Sequence, residues 1–176
     1  VNEGQIADIF KPGRYKLSTQ NIPVLTKLKS WTSGFNSPFK AEVYFVNTKQ
    51  FLNQKWGTSN GILLKDPKFG TLTIRARGNF AFRVNDASHF FKNILGTHKS
   101  YETKDIIGQL KTVVLSGITD MIAESKVPVE EMATQYDEFS IEGKNRLKNE
   151  FKQYGFEVIN FKIENISLPP EIQKAV

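Results

Sequence analysis

The chain has 176 residues, no cysteine and a formal net charge of +6, and 39% of its residues are hydrophobic, with 14 Phe. This length and apolar content suit one compact domain, or two small lobes that share an interface, and exclude a disordered tail. The lack of cysteine excludes disulfides, thiol nucleophiles and Cys-based metal sites. Residues 1–88 hold 13 Lys and Arg against 5 Asp and Glu, whereas residues 89–176 hold 11 against 13. A basic first half favours an anionic partner, either lipid headgroups or nucleic acid, with ordinary solubility as the plain alternative.

Turn residues and alternating apolar positions dominate the chain up to residue 84, so residues 1–84 are predicted to be mainly strands. The clearest strand runs from Gly70 to Val84. Its even-numbered apolar residues share one face, and the other face carries Thr73, Arg75, Arg77, Asn79 and Arg83. This alternation predicts an antiparallel sheet with one solvated side. Its predicted neighbours are Phe39–Val46 and Lys49–Phe51, and turn signals at Trp56-Gly57-Thr58 and Asp66-Pro67 separate further short strands.

Helical periodicity takes over in residues 85–155. The predicted helices run from Ser88 to Gly96, from Thr103 to Ile122, from Pro128 to Met132 and through Leu147 and Phe151 to Gly155. Ser88 and Thr103 are the expected N-caps, and Gly155 is the expected glycine just after a helix end. The apolar stripe of the second helix, with Ile106, Leu110 and Val114, is expected to face the sheet, a neighbouring subunit being the alternative.

The last part of the chain is predicted to be a strand over residues 156–166, with strict alternation of two faces. Residues 167–176 then begin another helix, because Pro169 and Pro170 fit a first helical turn. Val1 is not a start methionine, so we expect residues 1–176 to be part of a longer protein. Unbroken apolar runs stay far below the roughly 18 residues that cross a bilayer, and no membrane span or targeting segment is predicted.

Motifs for catalysis or metal binding are missing from the sequence. The two histidines, His89 and His98, lack the spacing of a metal site, and no GxSxG, GxxxxGK[ST] or GxGxxG pattern occurs. We therefore predict no catalytic residue, no metal and no cofactor. An enzyme that uses Asp66 or His98 in an unrecognised site is the third and least favoured hypothesis.

One segment, Arg77–Val84, is similar to an RNA-recognition strand, with Asn79 as an extra residue. A base-stacking platform needs exposed aromatic rings, yet Phe80 and Phe82 fall on the predicted core face. A bulge at Gly78 would reverse that assignment. A nucleic-acid-binding module therefore remains the alternative function.

Four residues are candidates for contact with a membrane or a partner. Arg75, Arg77 and Arg83 form a row on the solvated face of the predicted strand, where cations meet lipid phosphates or an acidic protein. Pairing with Glu42 or another acidic neighbour is the structural alternative. Trp56 is equally interpretable as a core plug or as an interfacial anchor.

The whole chain resembles the bacterial "virion core protein"-like branch of the SPFH (band 7) superfamily, which includes stomatin, prohibitin and flotillin. The segments that carry the resemblance are Val1–Gln5, Pro12-Gly13, Phe39–Phe51, Lys55–Thr58, Lys65–Pro67, Ile74–Gly78 and Phe161–Pro169. The combination of Val46-Asn47-Thr48 with Lys55-Trp56-Gly57-Thr58 is the most specific part. The terminal segments are shared more widely within the superfamily.

The resemblance implies an α+β fold: a curved, mostly antiparallel sheet, helices packed on it, and the start of a long C-terminal helix that builds coiled-coil assemblies. It also implies a non-enzymatic scaffold, peripheral to the cytoplasmic side of the cell membrane, that forms homo-oligomers and organises lipids or membrane proteins. The superfamily offers no active site to transfer. The contact role of Arg75, Arg77, Arg83 and Trp56 is thus inferred from charge and strand geometry alone.

Overall fold

The computed structural model describes residues 9–11, 13–14, 44–95, 102–132 and 134–173. The chain divides into one unit of Val1 with Val46–Val176 and another of Asn2–Phe45. All the strands and helices named below belong to the first unit. The prediction of a single domain over residues 1–176 stays a prediction.

The described part is a mixed α+β structure in which strands precede most of the helices, as predicted. Its strands are β1 (Phe51–Gly57), β2 (Ile62–Asp66), β3 (Gly70–Val84) and β4 (Phe156–Ser167). Its helices are α1 (Ala87–Phe90), extended by a π-helical turn (Phe91–Leu95), α2 (Thr103–Glu124), α3 (Val129–Met132), α4 (Tyr136–Gln153) and α5 (Pro170–Gln173).

Strand β3 is the centre of the sheet, because β1, β2 and β4 each pair with it antiparallel. Strand β1 pairs with its second half, β2 pairs with its first five residues, and β4 runs along residues 75–84. The predicted strand Gly70–Val84 is confirmed, including its two faces. The prediction of its neighbours was wrong in position: β1 begins at Phe51, the residue at which the predicted strand Lys49–Phe51 ends. In the other predicted neighbour, Phe39–Val46, residues 44–46 are not in a strand, and residues 39–43 lie outside the described residues.

The core lies between the apolar face of this sheet and helices α2 and α4. Phe80 and Phe82 of β3 are completely or almost completely buried and stack at a centroid distance of 5.9 Å. Phe151 of α4 meets Phe80 edge-on, with ring centroids 6.1 Å apart. Burying such aromatic side chains stabilises the fold by about 1.5–3 kcal/mol each. The pleat of β3 therefore presents its odd-numbered residues to the opposite, outer side.

Strand β4 does not keep the strict alternation that the sequence predicts. Its pairing with β3 shifts twice, and the residues passed over are Ile159 and Glu164. Each extra residue is a β-bulge, which moves the following side chains to the other face. The buried residues of β4 are consequently Phe156, Val158, Phe161, Ile163 and Ile166.

Helix ends agree with the sequence to within a few residues, but α4 begins at Tyr136, well before Leu147, the first residue that the sequence assigned to it. The N-cap of α1 is Asp86 instead of Ser88, because the Asp86 carboxylate accepts the N–H groups of Ser88 and His89 at 2.9 and 3.0 Å. The N-cap of α2 is Glu102 instead of Thr103. Gly155 follows α4 as predicted, with φ +81°, and its carbonyl accepts the N–H groups of residues 85 and 86, which fixes the entry of α1.

Helix α2 is the one helix in the described ranges that is long and apolar enough to cross a membrane by length and composition, a test that core helices of soluble proteins also pass. The sequence analysis considered unbroken apolar runs, and polar residues interrupt those of α2. Leu110 and Val114 are buried against the core, and α2 contacts α4, β1 and β2. Packing in the core accounts for the apolar stripe, as predicted.

Candidate partner-contact surface

The outer face of the sheet carries the predicted arginines. Arg75, Arg77 and Arg83 occupy odd-numbered positions of β3, and the even-numbered positions between them are buried. Successive side chains of a strand point to opposite faces. The three guanidinium groups therefore leave the sheet on the same side, as the sequence predicts.

Cross-strand pairing adds cations that the sequence did not connect with these arginines. Lys55 of β1 and Lys162 of β4 are both register partners of Asn79, so the three side chains form one row across the sheet. Arg77 occupies the next row, and Arg75 lies two residues further along β3. Directly opposed residues of antiparallel strands point to the same face.

The first half of β3 continues this face with a lysine and an exposed leucine. Lys65 is the register partner of Thr71, and Leu63 is that of Thr73. Leu63 is 67% exposed. We call Lys55, Lys65, Arg75, Arg77 and Lys162 the cationic face. All five are exposed, and none forms an ion pair with a described residue. The carboxylate of Glu164 also lies on this side and accepts the Asn79 amide N–H at 2.6 Å.

Arg83 lies on the outer side but is already engaged. Its guanidinium forms an ion pair with Glu157 of β4, with Nε and Nη2 both 2.7 Å from Oε2. This is the cross-strand pairing that the sequence left open, with Glu157 as the partner. Glu42, the acid named from the sequence, lies outside the described residues.

Trp56 lies in the core, so it does not share a surface with the arginines. It is 4% exposed, and its ring stacks on Phe161 at a centroid distance of 5.4 Å. Gly78 makes room for it, since a Cβ atom there would lie 2.9 Å from Trp56 Cζ2 and 1.9 Å from the Lys162 carbonyl oxygen. Of the two interpretations offered by the sequence, the core plug describes its position. Its indole N–H is buried and has no hydrogen-bond acceptor among the described residues.

The RNA-like segment lacks an aromatic platform. Phe80 and Phe82 are 0% and 1% exposed, and the bulge at this point belongs to β4, so β3 keeps its alternation through Gly78. A base-stacking surface needs aromatic rings that bases can reach. These two rings are instead part of the core.

Asp66 is the buried carboxylate in the described part of the chain, and its contacts are structural. Its Oδ1 accepts the N–H groups of Lys68 and Phe69 at 2.8 and 3.0 Å, and its Oδ2 accepts that of Val129 at 2.9 Å. The Val129 hydrogen bond, followed by the two from the turn, lowers the pKa of Asp66 against the opposing effect of burial. The carboxylate thus ties the β2–β3 turn to the start of α3.

His89, the histidine that lies in the described ranges, belongs to the capping contacts of α1. His89 Nδ1 lies 2.9 Å from Asp86 Oδ2 at the start of α1, and the backbone N–H of His89 is the main reason that the pKa of Asp86 is lowered. His98 lies outside the described residues. Within the described ranges, no group of three or more metal-ligating side chains is found.

An open cleft of about 350 Å³ lies between the end of α2 and the first half of α4. Its lining residues are Met121, Glu124, Ser125, Lys126, Val127, Gln135, Glu138, Phe139, Glu142 and Arg146. Arg146 contacts Glu124 at 2.7 Å and Glu142 at 3.3 Å, and the Glu124 hydrogen bond is the largest cause of its raised pKa. The guanidinium is therefore already paired with two glutamates that line the cleft.

Comparison with known proteins gives one family and one curated relative. The profile of the SPFH domain-Band 7 family matches residues 1–176. The uncharacterized protein YdjI of Bacillus subtilis (strain 168) is 30% identical over 182 residues, an alignment that covers 100% of this chain and 55% of YdjI. The chain thus spans about half the length of that relative.

Proposed function

The chain belongs to the SPFH domain-Band 7 family, and from this premise we propose that it is a non-enzymatic, oligomerising scaffold domain at the cytoplasmic side of a membrane. In this role it organises lipids or membrane-protein partners and is peripheral to the inner face of the cell membrane. The family match over the whole chain carries the proposal. Assignment to the "virion core protein"-like branch, based on Lys55-Trp56-Gly57-Thr58, is part of it.

The described charges support a role in binding extended partners. The cationic face is an exposed part of the sheet. Asp66, the core carboxylate with a perturbed pKa, already accepts three backbone N–H groups, so its role is structural. The guanidinium of the α2–α4 cleft is likewise paired. Exposed charge on a rigid sheet suits recognition of a surface.

Avidity is the mechanism that we propose for the scaffold. Each copy contacts its partner weakly through the cationic face, and many copies held together bind strongly, because linked sites raise the effective concentration of one another. Assembly through a helix that continues α5 would supply the linkage. In support, α5 (Pro170–Gln173) lies within the segment 167–176 that the sequence predicts to begin a helix.

The alternative function, a nucleic-acid-binding module that uses Arg75, Arg77 and Arg83, is less well supported. Arg83 is engaged with Glu157, and the aromatic residues of the RNA-like segment are buried. Phosphate contacts alone give binding that is sequence-independent and strongly salt-dependent. Such binding would compete directly with binding to anionic lipid.

The proposal is tested on the gene product that contains residues 1–176. Cells that express it are separated into membrane and soluble fractions, and the purified protein is sized by light scattering after mild chemical cross-linking. We expect it in the membrane fraction and larger than one copy. A monomer that stays in the soluble fraction would contradict the scaffold role.

A further inference from the structure

We propose that the cationic face docks on an anionic lipid bilayer, with the exposed Leu63 side chain entering the headgroup region. This inference rests on the proposed function and names both the partner and the surface. It replaces the sequence-based contact set, because Arg83 is paired with Glu157 and Trp56 is buried. Lys55, Lys65 and Lys162 join Arg75 and Arg77 instead.

The shape of the patch fits a bilayer. From Thr71 to Asn79, β3 covers about 27 Å at roughly 3.4 Å per residue. Where β1 and β4 flank it, the patch is three strands, or about 10 Å, wide. These rows contain five exposed cations without an ion-pair partner among the described residues, and one carboxylate, that of Glu164, which is hydrogen-bonded to Asn79. An extended array of this kind meets many headgroups at once.

The charges account for a preference for anionic lipid. A cation near an anionic membrane surface strengthens binding about fivefold. The five cations lie on one side of the sheet, so all of them approach the membrane together. Because the Debye length at physiological salt is about 8 Å, cations on other faces of the domain contribute far less.

The exposed Leu63 side chain favours a lipid bilayer over other anionic partners. Leu63 is 67% exposed and lies between Lys65 and the arginines on the outer face, and its cross-strand partner, Thr73, is itself exposed. Apolar side chains flanked by cations are typical of surfaces that enter the membrane interface. A nucleic acid would be met better by an aromatic ring, and in the described ranges the outward positions of β3 hold none.

The test compares two double variants of this chain that remove the same charge. R75Q/R77Q neutralises two residues of the cationic face, and K148Q/K152Q neutralises two exposed lysines of α4. Each protein is sedimented with phosphatidylcholine vesicles that contain 0 or 30% phosphatidylserine, over a range of lipid concentrations. Urea unfolding midpoints establish that both variants are folded.

We expect wild type to partition on the anionic vesicles only, R75Q/R77Q to partition about 30-fold less, and K148Q/K152Q to stay within about twofold of wild type. Leu63→Ser should weaken binding without changing its dependence on salt. Equal losses in both double variants, or equal binding to neutral vesicles, would overturn the proposal. Displacement of the chain from vesicles by RNA at a comparable phosphate concentration would also overturn it. The same holds if R75Q/R77Q dissociates oligomers of the chain and leaves vesicle binding unchanged.

A separate readout distinguishes this inference from the scaffold role. If the wild-type gene product is oligomeric and membrane-bound in cells and R75Q/R77Q fractionates identically, the docking surface is wrong and the scaffold role stands. If the wild-type gene product is itself soluble and monomeric, the scaffold role fails whatever the vesicles show.

Discussion

Replacing the buried Asp66 with asparagine should destabilise the domain. The substitution keeps the shape of the side chain and removes its charge. An asparagine oxygen can still accept the two N–H groups of the β2–β3 turn, but its NH₂ group then faces the N–H of Val129. Two donors meet where the wild type has a hydrogen bond of 2.9 Å.

The size of the effect follows from this geometry. One hydrogen bond to a charged group contributes about 1.5–3 kcal/mol, and a buried N–H left without an acceptor costs about 1–3 kcal/mol. We therefore expect Asp66→Asn to lower the free energy of unfolding by about 3 kcal/mol. With an m-value of about 2 kcal/mol/M, the urea midpoint falls by about 1.5 M.

Urea unfolding followed by circular dichroism at pH 7 and at lower pH measures this effect. The folded-state pKa of Asp66 is lowered, so its stabilisation is complete above the ordinary value of 3.8 and is lost as the pH falls through the folded-state pKa. The gap between wild type and Asp66→Asn should therefore close on acidification below about pH 4. Asp120→Asn, at an exposed position of α2, is the matched control.

Two results would refute this reasoning. One is a urea midpoint of Asp66→Asn equal to that of wild type at pH 7. The other is a gap that stays constant as the pH falls, which would assign the loss to packing instead of to the carboxylate charge.

Substitutions at three further positions test the backbone and the core. Gly155→Ala should cost about 2–4 kcal/mol in urea unfolding, because φ is +81° and a Cβ atom would lie 2.4 Å from the Asp86 carbonyl oxygen; an unchanged midpoint would contradict that geometry. Trp56→Phe should change stability by less than about 1 kcal/mol, since it removes an indole N–H that has no acceptor among the described residues, whereas Trp56→Ala should cost about 3–5 kcal/mol in thermal melts. Equal losses in the two variants would contradict the view that the indole N–H contributes no hydrogen bond. Ser140→Ala should lower the free energy of unfolding by about 1–2 kcal/mol, because the Ile163 N–H donates to the Ser140 hydroxyl at 3.0 Å. Hydrogen exchange of the Ile163 amide should be faster in this variant, and an unchanged exchange rate would contradict the role of this hydrogen bond.

The sequence predicted those elements whose periodicity is uninterrupted. Strand β3 alternates over 15 residues, and α2 keeps an apolar stripe with a spacing of three or four residues, so their types and faces followed directly. Of α4, only the second half was predicted, through Leu147 and Phe151, because polar residues dominate its first half. Strand β4 was found, but its faces were wrong because bulges at Ile159 and Glu164 depend on pairing with another strand. Capping by Asp86 instead of Ser88 is a choice between neighbouring capping residues that local sequence does not decide.

The contact surface was predictable in part. The shared side of Arg75 and Arg77 followed from alternation in one strand. Lys55 and Lys162 were not connected with them, because cross-strand register depends on tertiary structure and not on spacing along the chain. Glu157 as the partner of Arg83 was missed for the same reason.

The edge of β4 that faces away from β3 is covered by helix α4, which matters for contacts between copies of the chain. In the described part β4 pairs with β3 alone, and side chains of α4 cover its other edge: the hydroxyls of Tyr136 and Ser140 accept N–H groups of Ile166 and Ile163, and Lys144 Nζ donates to the Ile159 carbonyl at 2.8 Å. An uncovered strand edge recruits strands from other molecules and seeds aggregation. In the scaffold role that we propose, many copies would lie side by side and meet this hazard constantly. The helix that fills the core, α4, also shields this edge of the sheet, and in such an array it would keep neighbouring sheets from pairing.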